Sequence, residues 1–313
     1  MDGLGERREK RWQHTPRSID HIRAQSHYGK RSIGGPAMRN VMAMLAIIAA
    51  MSVSARVQTA SAQTVSAQTV PEITLARFDC GTGQAPTDVG LRFTDTYAYS
   101  GLKIQIVYSC YLIRHGDDYM VWDAGQSMSA GAVAPKVSLV DQLAQLRLTP
   151  QQIKFIAISH YHGDHIGQVG SFPSSTLLIG KRDWDALTKN SESSVPFAHW
   201  ITGAGKLETV LQDKDVFGDG TVVMLNMPGH TPGHHSLLVR LKNKGPVLLT
   251  GDLAHFRENY DGDGVPNFNT DRTETLSSFD RFKKIAKNLK ATVIIQHDAR
   301  DIAKLPPFPA AAH

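Results

Sequence analysis

The feature that most constrains this chain is a dense group of histidine and aspartate residues directly after one predicted strand. The apolar run Phe155–Ser159 predicts a buried strand, and four such residues, His160, His162, Asp164 and His165, follow it within six positions. Successive side chains of a strand point to opposite faces, so His160 and His162 point the same way, whereas Asp164 and His165 lie in the following turn. Imidazole and carboxylate groups both bind Zn²⁺, so this group can supply ligands to two adjacent cations.

Further histidines and aspartates follow other predicted strands. Three strands end in this way: Thr221–Leu225 before PGHTPGHH at 228–235, Val247–Thr250 before Gly251-Asp252, and Thr292–Gln296 before His297-Asp298. Strand ends at one edge of a sheet are where α/β folds collect active-site residues, and a metal site on strands is held more rigidly than one on loops. These residues are therefore predicted to join the first group.

The order of the predicted elements favours a single α/β domain that begins near Glu72. Two β-rich runs, Ile104–Ile113 and Tyr119–Trp122, flank a polar turn and predict a hairpin. Ser138–Leu146 predicts a short helix with a capping box at its start. A longer helix with an apolar stripe is predicted at Thr273–Leu289. Strands come first and then alternate with helices, without an internal repeat.

These motifs, taken together, resemble the metallo-β-lactamase superfamily. The resemblance is carried by HxHxDH at 160–165, PGHTPGH at 228–234, Gly251-Asp252 after a strand and His297 at a strand end. The segment Trp122–Gly125 stands where the family often has D-x-G. The match runs in order from Cys110 to His297, and it implies an α/β fold of the αββα four-layer sandwich type.

The resemblance implies a dinuclear metal centre. Its ligands would be His160, His162 and His230 for the first metal, Asp164, His165 and His297 for the second, and Asp252 as the bridge. The expected cofactors are two divalent metal ions, Zn²⁺ foremost, although Co²⁺, Mn²⁺ and Fe²⁺ use the same ligand types. A hydroxide between the cations would be the nucleophile. Asp164 would shuttle the proton as a catalytic residue, and Asp123 would support the ligand loop.

The C-terminal third narrows the resemblance to N-acyl-homoserine lactonases. Three segments follow Asp252 in this order: Glu258-Asn259-Tyr260, Val265-Pro266 and Val293–Asp298. The expected function is therefore a metal-dependent hydrolase that opens the lactone ring of a bacterial signalling molecule, which is quorum quenching. Another ester, thioester, β-lactam or phosphotriester hydrolase of the superfamily is the alternative. A non-catalytic metal-binding protein is a more distant one.

One position departs from these lactonases. Where they carry a tyrosine three residues after the bridging aspartate, which hydrogen bonds the substrate, this chain has His255. An imidazole can donate a similar hydrogen bond, so His255 is predicted to be catalytic, with a loop histidine of no role as the alternative. Five apolar residues could receive an acyl chain or could equally be core: Met128, Phe197, Trp200, Phe256 and Phe268.

The other histidines of the domain and one acidic loop are interpreted as structural. His234 and His235 follow Pro232-Gly233 and are interpreted as structural, with support of the metal ligands as the alternative; His199 belongs to a helix or the surface, and His115 belongs to a turn. The loop Asp261–Gly264 superficially suggests calcium, but it lacks the downstream glutamate of an EF-hand loop. It is predicted to be a solvated turn.

The N-terminal residues are expected to lie outside the folded domain. Residues 1–37 are basic and aperiodic, which predicts disorder and suggests a misassigned start site with Met38 as the true initiator. Residues 38–62 have the layout of a secretory signal peptide, with an apolar run of 13 residues, and residues 63–71 form a linker. Export to the periplasm or medium without a stable membrane span is expected, with an N-terminal membrane anchor as the alternative.

Charge and cysteine content limit the partners. Residues 1–62 carry ten basic and four acidic side chains, whereas residues 63–313 carry 24 basic and 25 acidic ones. A near-neutral domain has no basic face for nucleic acid, so the expected partner is a small-molecule substrate, an acyl-homoserine lactone or related ester.

Cys80 and Cys110 could pair after export or could be apolar neighbours on adjacent strands. The oligomeric state is not indicated.

Overall fold

Residues 71–190 and 194–313 are described by the computed structural model of the protein. The predictions for residues 1–37, 38–62 and 63–70 lie outside the described residues. Within the described ranges, no helix combines the length and the apolar character needed to cross a lipid bilayer.

The first half of the domain forms a six-stranded sheet and a separate two-stranded one. The strands are β1 (Ile73–Thr82), β2 (Thr87–Asp88), β3 (Lys103–Ile104), β4 (Val107–His115), β5 (Asp118–Trp122), β6 (Ile153–Ile158), β7 (Thr176–Gly180) and β8 (Leu207–Val210). The large sheet has the order β1-β4-β5-β6-β7-β8, and β2 pairs with β3. Strands β4 and β5 form the predicted hairpin, and β5 to β8 are parallel. The parallel part contains β6, which precedes the first histidine group.

The second half forms a five-stranded sheet. Its strands are β9 (Lys214–Asp215), β10 (Val222–Asn226), β11 (His235–Leu241), β12 (Gly245–Leu249) and β13 (Thr292–Ile294), in the order β13-β12-β11-β10-β9. Strand β13 is parallel to β12, and the other pairs are antiparallel. The three strands predicted ahead of Pro228, Asp252 and His297 are all present, so the sequence located the elements that lead to the site.

Helices follow the strands, and two of them begin at polar side-chain caps. The helices with described bounds are α1 (Leu139–Gln145), α2 (Gly163–Ile166), α3 (Lys181–Leu187), α4 (Ala198–Ile201), α5 (Arg257–Asp261) and α6 (Arg272–Leu289). The Ser138 Oγ accepts the Asp141 backbone N–H at 3.1 Å, which confirms the predicted start of α1. Asp271 accepts the Glu274 backbone N–H at 2.8 Å, so the longest helix begins at a carboxylate cap.

The two large sheets pack face to face, and helices cover their outer faces. Trp122 of the first sheet and Leu237 of the second belong to the core between the sheets. Leu139 of α1 packs on the outer face of the first sheet, and Phe279 and Phe282 of α6 pack on the outer face of the second. Burying such an aromatic side chain contributes about 1.5–3 kcal/mol. The result is the predicted αββα sandwich.

Cys80 and Cys110 form a disulfide between β1 and β4. Both are fully buried in the core on the outer face of the first sheet. Gly125, in the segment after β5, packs directly on this disulfide: a Cβ at Gly125 would lie 2.4 Å from the Cys80 Cβ. The disulfide decides between the two alternatives left open for the cysteines by the sequence. It also links the two strands that lie beneath the segment containing Asp123.

We expect the double variant Cys80→Ala/Cys110→Ala to be less stable by about 3–4 kcal/mol, because the disulfide closes a loop with a sequence separation of 30. Equilibrium unfolding in denaturant measures this difference. The wild-type protein should show the same loss when reduced, whereas the variant should not respond to reductant. Equal unfolding midpoints for the oxidised wild type and the variant would contradict the expectation.

Candidate metal centre

Strands of both sheets end at one place, and the predicted ligands follow them. His160 follows β6, Asp252 follows β12, and His297 follows β13. The short helix α2 turns the rest of the first histidine group toward the same place. All seven predicted ligands fall into two groups, and within each group the candidate ligand atoms lie within 4.8 Å of one another. The groups are His160, His162, His230 and Asp252, and Asp164, His165, Asp252 and His297.

The first group has the spacing of a tetrahedral metal site. His162 Nδ1 lies 3.0 Å from both His160 Nε2 and His230 Nε2. Asp252 Oδ2 lies 3.6 Å from His160 Nε2 and 3.5 Å from His230 Nε2. Around Zn²⁺, with bonds to nitrogen of about 2.0–2.1 Å, tetrahedral ligand atoms are about 3.3 Å apart. These four side chains therefore can hold one cation.

The second group shares Asp252 with the first. The Nε2 atoms of His165 and His297 are 3.2 Å apart, and Asp252 Oδ1 lies 3.2 Å and 2.8 Å from them. Asp164 Oδ2 lies 3.8 Å from His165 Nε2 and 3.7 Å from His297 Nε2. Because Asp252 presents one carboxylate oxygen to each group, its geometry suits a bridge between two cations.

Burial and charge state fit cation binding. Burial lowers the pKa of His160 and His230 well below the usual value, which keeps both imidazoles in the neutral form that binds metals. Burial raises the pKa of Asp252, but the surrounding histidines, His297 first, hold it well below its usual value, so this side chain is a carboxylate. Among the described residues, the buried Oδ1 of Asp252 has no hydrogen-bond partner. A bound cation would compensate that oxygen.

Asp123 lies beneath the ligand groups and orients one of them. It is fully buried, and its Oδ1 accepts the Ser159 backbone N–H at 2.6 Å. Its Oδ2 accepts from His165 Nδ1 at 2.9 Å and from Gln296 Nε2 at 2.6 Å. The contact with His165 leaves the Nε2 lone pair of that ring facing the second group. The sequence singled out Asp123 but missed Gln296, because a glutamine next to a strand has no distinguishing pattern.

His234 and His235 hold backbone segments, in agreement with the structural interpretation. His234 Nδ1 donates to the Met227 carbonyl at 3.0 Å, and its Nε2 accepts the backbone N–H of Asp252 at 2.9 Å. Burial lowers the pKa of His234 to about 3, so the ring is neutral and can accept that bond. His235 Nδ1 donates to the Gly233 carbonyl at 2.7 Å. His234 thus fixes the backbone of the shared carboxylate.

Asp183 is a buried acid that the sequence analysis did not single out. It lies in α3, where its Oδ2 accepts from Thr231 Oγ1 at 2.7 Å and its Oδ1 accepts the Gly233 N–H at 2.6 Å. Burial raises its pKa to about 7, against the opposing effect of these hydrogen bonds. Asp183 ties α3 to the loop that carries His230. A lone aspartate in a short helix usually indicates a solvated face, so only the packing reveals it.

His255 lies beside the shared carboxylate with its ring nitrogens unbonded. Its Nε2 is 3.1 Å from Asp252 Oδ2, yet neither ring nitrogen has a directed hydrogen bond to a described residue. The ring packs edge-on against Phe93, with centroids 5.0 Å apart, and against Phe268 at 5.7 Å. Its backbone N–H donates to Asn259 Oδ1 at 3.0 Å. The packing therefore fixes the side chain, and both of its ring nitrogens are buried.

The two groups open into a cleft of about 520 Å³. Asp164, 26% exposed, and His255 both line it. The other walls include Thr87, Arg92, Phe93, Ile106, Tyr108 and Phe268. Because polar ligand side chains and aromatic side chains line the same cleft, it suits a small molecule with a polar and an apolar part.

The structure decides between the two alternatives left open for the five apolar residues. Of the five residues considered, Phe268 alone lines the cleft among the described residues. Phe197 and Trp200 pack in the core on the outer face of the first sheet, and Phe256 packs in a separate core cluster. Met128 is 49% exposed and is not part of the cleft lining. The other aromatic walls are Phe93, ahead of β4, and Tyr108, at the start of β4, whose distance in sequence from the metal motifs concealed them.

The remaining predictions agree with the contacts observed. His199 Nε2 faces the Pro173 carbonyl at 3.1 Å, away from the ligand groups. His115 pairs with Asp219 at 2.7 Å and stacks on an aromatic ring beside the hairpin turn. In the loop at 261–264, Asp263 pairs with Lys283 at 2.7 Å. These side chains have structural contacts.

Comparison with known families decides the identity of the fold. The family model described as "Metallo-beta-lactamase superfamily" matches residues 106–297, the range that contains every predicted ligand. The chain belongs to the metallo-beta-lactamase superfamily. The resemblance inferred from the motifs is confirmed.

Several relatives within this superfamily are lactonases. The N-acyl homoserine lactonase AttM of Rhizobium radiobacter is 29% identical over 232 residues, which cover 64% of this chain and 84% of that protein. A variant of AiiA from B. thuringiensis, solved with N-decanoyl-L-homoserine at its active site, has a TM-score of 0.64 and 23% identity, covering 78% of this chain and 100% of that one. AidC, described as a dizinc quorum-quenching lactonase, has a TM-score of 0.57 and 19% identity, covering 78% and 90%. The two structures share the fold of this superfamily member.

We expect Asp123→Asn to weaken metal binding about 10-fold to 100-fold, because the new amide N–H₂ would face the donors of Ser159, His165 and Gln296. Metal content after dialysis and the thermal unfolding midpoint should both fall. Asp118→Asn is the matched control, since Asp118 pairs with Lys154 at the surface. Equal metal content in both variants would contradict the role assigned to Asp123.

Proposed function

We propose that this protein hydrolyses the lactone ring of N-acyl-homoserine lactones and so quenches quorum sensing. The observation that carries the proposal is the convergence of seven histidine and aspartate side chains beside a cleft that aromatic side chains also line. AttM, named as an N-acyl homoserine lactonase, and the AiiA variant with N-decanoyl-L-homoserine support it. Such a substrate needs a polar site for its ring and an apolar wall for its acyl chain.

We assign the seven side chains to two divalent metal ions. The group around His162 is assigned to the first metal and the group around His165 to the second, with Asp252 as the bridge. Zinc is proposed because His and Asp donors suit it and because AidC is described as a dizinc enzyme. When bound, the two cations supply a nucleophile at neutral pH by lowering the pKa of water, and they polarise the ester carbonyl.

Asp164 is proposed to move the proton. It belongs to the second group through its Oδ2 and also lines the cleft, which leaves its Oδ1 as the oxygen that would exchange a proton with the substrate. Accepting the proton of the attacking water at Oδ1 and delivering it to the departing ring oxygen would complete ring opening. Five of the other six ligands are buried, which leaves them less suited to exchange a proton with substrate: His160, His165, His230, Asp252 and His297.

His255 is proposed to orient the substrate. The residue lines the cleft, and neither of its buried ring nitrogens has a directed hydrogen bond to a described residue, which leaves a ring N–H to donate to an oxygen of the lactone or of the amide next to it. The aromatic side chains Phe93 and Phe268 fix the ring, which limits the entropy lost on binding. This is the role that the resemblance gives to a tyrosine.

We further propose that the protein is exported. The disulfide between Cys80 and Cys110 suits an oxidising compartment such as the periplasm, because reducing compartments keep thiols free. The signal-peptide layout of residues 38–62 points the same way. The mature chain would begin at Gln63, and the partner would be a small molecule that diffuses between cells.

We expect His162→Ala and Asp252→Ala to lower the rate of lactone opening more than about 100-fold, since each removes a ligand from a metal group. The measurement is hydrolysis of N-octanoyl-homoserine lactone, with circular dichroism to verify folding. His199→Ala is the control, because His199 contacts the Pro173 carbonyl and the Trp200 ring, away from the ligand groups. A folded Asp252→Ala variant with wild-type turnover would refute the site.

The substrate class is tested by comparing four substrates with the wild-type protein: a homoserine lactone, a thioester, a cephalosporin and an aryl phosphotriester. The proposal expects the lactone to give the highest kcat/KM. If the lactone were the poorest of the four, the protein would be a different hydrolase of the same superfamily.

We expect His255→Phe to lower kcat/KM about 100-fold while the metal content is unchanged, because phenylalanine keeps the ring packing but cannot donate a hydrogen bond. His255→Tyr should retain most of the activity, since the phenol is also a donor. Lactone hydrolysis and metal analysis of both variants test this. Equal rates for His255→Phe and the wild type would mean that His255 has only a packing role.

A further inference from the structure

The mouth of the cleft contains a cationic side chain that ring opening does not use. Arg92 lines the cleft, and its guanidinium carbon lies 4.8 Å from the centroid of the Phe268 ring. Within residues 71–190 and 194–313, its guanidinium pairs with no carboxylate. A guanidinium that stacks on an aromatic face keeps the N–H donors along its edge free. Arg92 therefore offers unused donors to a molecule in the cleft.

The backbone around Arg92 is firmly held. Its carbonyl accepts the Asn267 backbone N–H at 3.0 Å, and the Leu91 carbonyl accepts from Asn267 Nδ2 at 2.8 Å. The Phe93 carbonyl accepts from Asn259 Nδ2 at 3.3 Å. Asn259 is fully buried and also bonds the backbone of His255. Three consecutive carbonyls are thus tied to the segment that carries His255, which fixes where Arg92 stands relative to the ligand groups.

We propose that Arg92 is a specificity residue that binds the acyl part of the substrate through two oxygens, those of the amide and of a 3-oxo group. The preferred substrates are then 3-oxo-N-acyl-homoserine lactones, an inference that rests on the proposed function. With the lactone carbonyl at the ligand groups, the amide and acyl chain extend toward the mouth of the cleft, where Arg92 lies.

The chemistry of the guanidinium favours this class. The amide oxygen and the 3-oxo oxygen are separated by three carbons and can lie on the same side, much as the two oxygens of a carboxylate do. The planar fork of a guanidinium matches such a pair with two parallel N–H donors, whereas an ammonium acts as a point charge. An unsubstituted acyl chain offers only the amide oxygen. The ratio of kcat/KM for the 3-oxo substrate to kcat/KM for the unsubstituted one therefore measures the contribution of the two parallel guanidinium donors.

The test compares N-(3-oxooctanoyl)- and N-octanoyl-homoserine lactone with the full-length protein, and the measured quantity is the ratio of their kcat/KM values. The variants are Arg92→Met, which removes charge and donors, and Arg92→Lys, which keeps the charge without the fork. Arg147→Met is the matched control, because Arg147 is exposed in the turn after α1 and does not line the cleft.

The wild type is expected to prefer the 3-oxo substrate, and Arg92→Met should lower the ratio about tenfold. Arg92→Lys should lower it nearly as much, and Arg147→Met should leave it unchanged. A wild type that opens both lactones without preference, or an Arg92→Met ratio equal to that of the wild type, would overturn the inference and leave the proposed function intact. If neither lactone is opened by the metal-loaded protein, the proposed function fails and the inference with it.

A binding measurement provides a second readout that does not depend on turnover. The ring-opened product N-(3-oxooctanoyl)-homoserine should bind Arg92→Met about tenfold more weakly than the wild type in calorimetry. N-Octanoyl-homoserine should lose less affinity, because it contributes one oxygen instead of two. An equal loss for both products would show that Arg92 acts only through its charge or its packing on Phe268, which contradicts the proposal.

Discussion

The structure depends on a carboxylate, Asp252, that is buried among histidine side chains at the junction of two sheets. Ring nitrogens of these histidines face one another at 3.0–3.2 Å, and burying so many polar groups together is unfavourable. Bound cations would lower this cost, because the imidazole nitrogens and the carboxylate oxygens would then face a positive charge. The same burial keeps His160 and His230 neutral, so the arrangement is prepared for metal before metal arrives.

Buried hydrogen bonds place the ligands more exactly than the strands alone could. Asp123 orients His165, and His234 fixes the backbone of Asp252. Asp183 holds the loop that carries His230. Each of these three side chains connects a segment that carries a ligand to a different element of the fold. Hydrogen bonds from several sides therefore hold the site. Loss of one anchor would shift ligands by tenths of an ångström, which is enough to weaken coordination.

The metal-ligand side chains form the rigid floor of the cleft. Segments that are distant from one another in the sequence form its walls. Phe93 and Arg92 precede β4, whereas His255 and Phe268 follow β12, and the buried amide of Asn259 ties the two segments together. The floor belongs to the superfamily as a whole. The walls distinguish one member from another, because they contact the part of the substrate that does not react. Substrate preference is therefore expected to follow residues such as Arg92 more than the ligands.

The sequence by itself determined the αββα fold, the strands that precede the site and the seven candidate ligands, because these are local patterns: apolar runs and dense motifs such as HxHxDH. It did not decide whether Cys80 and Cys110 pair, and it missed Gln296, Asp183 and Arg92. It also left open whether Phe197, Trp200 and Phe256 line a cleft or belong to the core, where the structure places them. Only the tertiary structure decided these points, because burial, partner and orientation depend on residues that are distant in the sequence, with separations of 30 for the disulfide, 48 for Asp183 and 173 for Gln296.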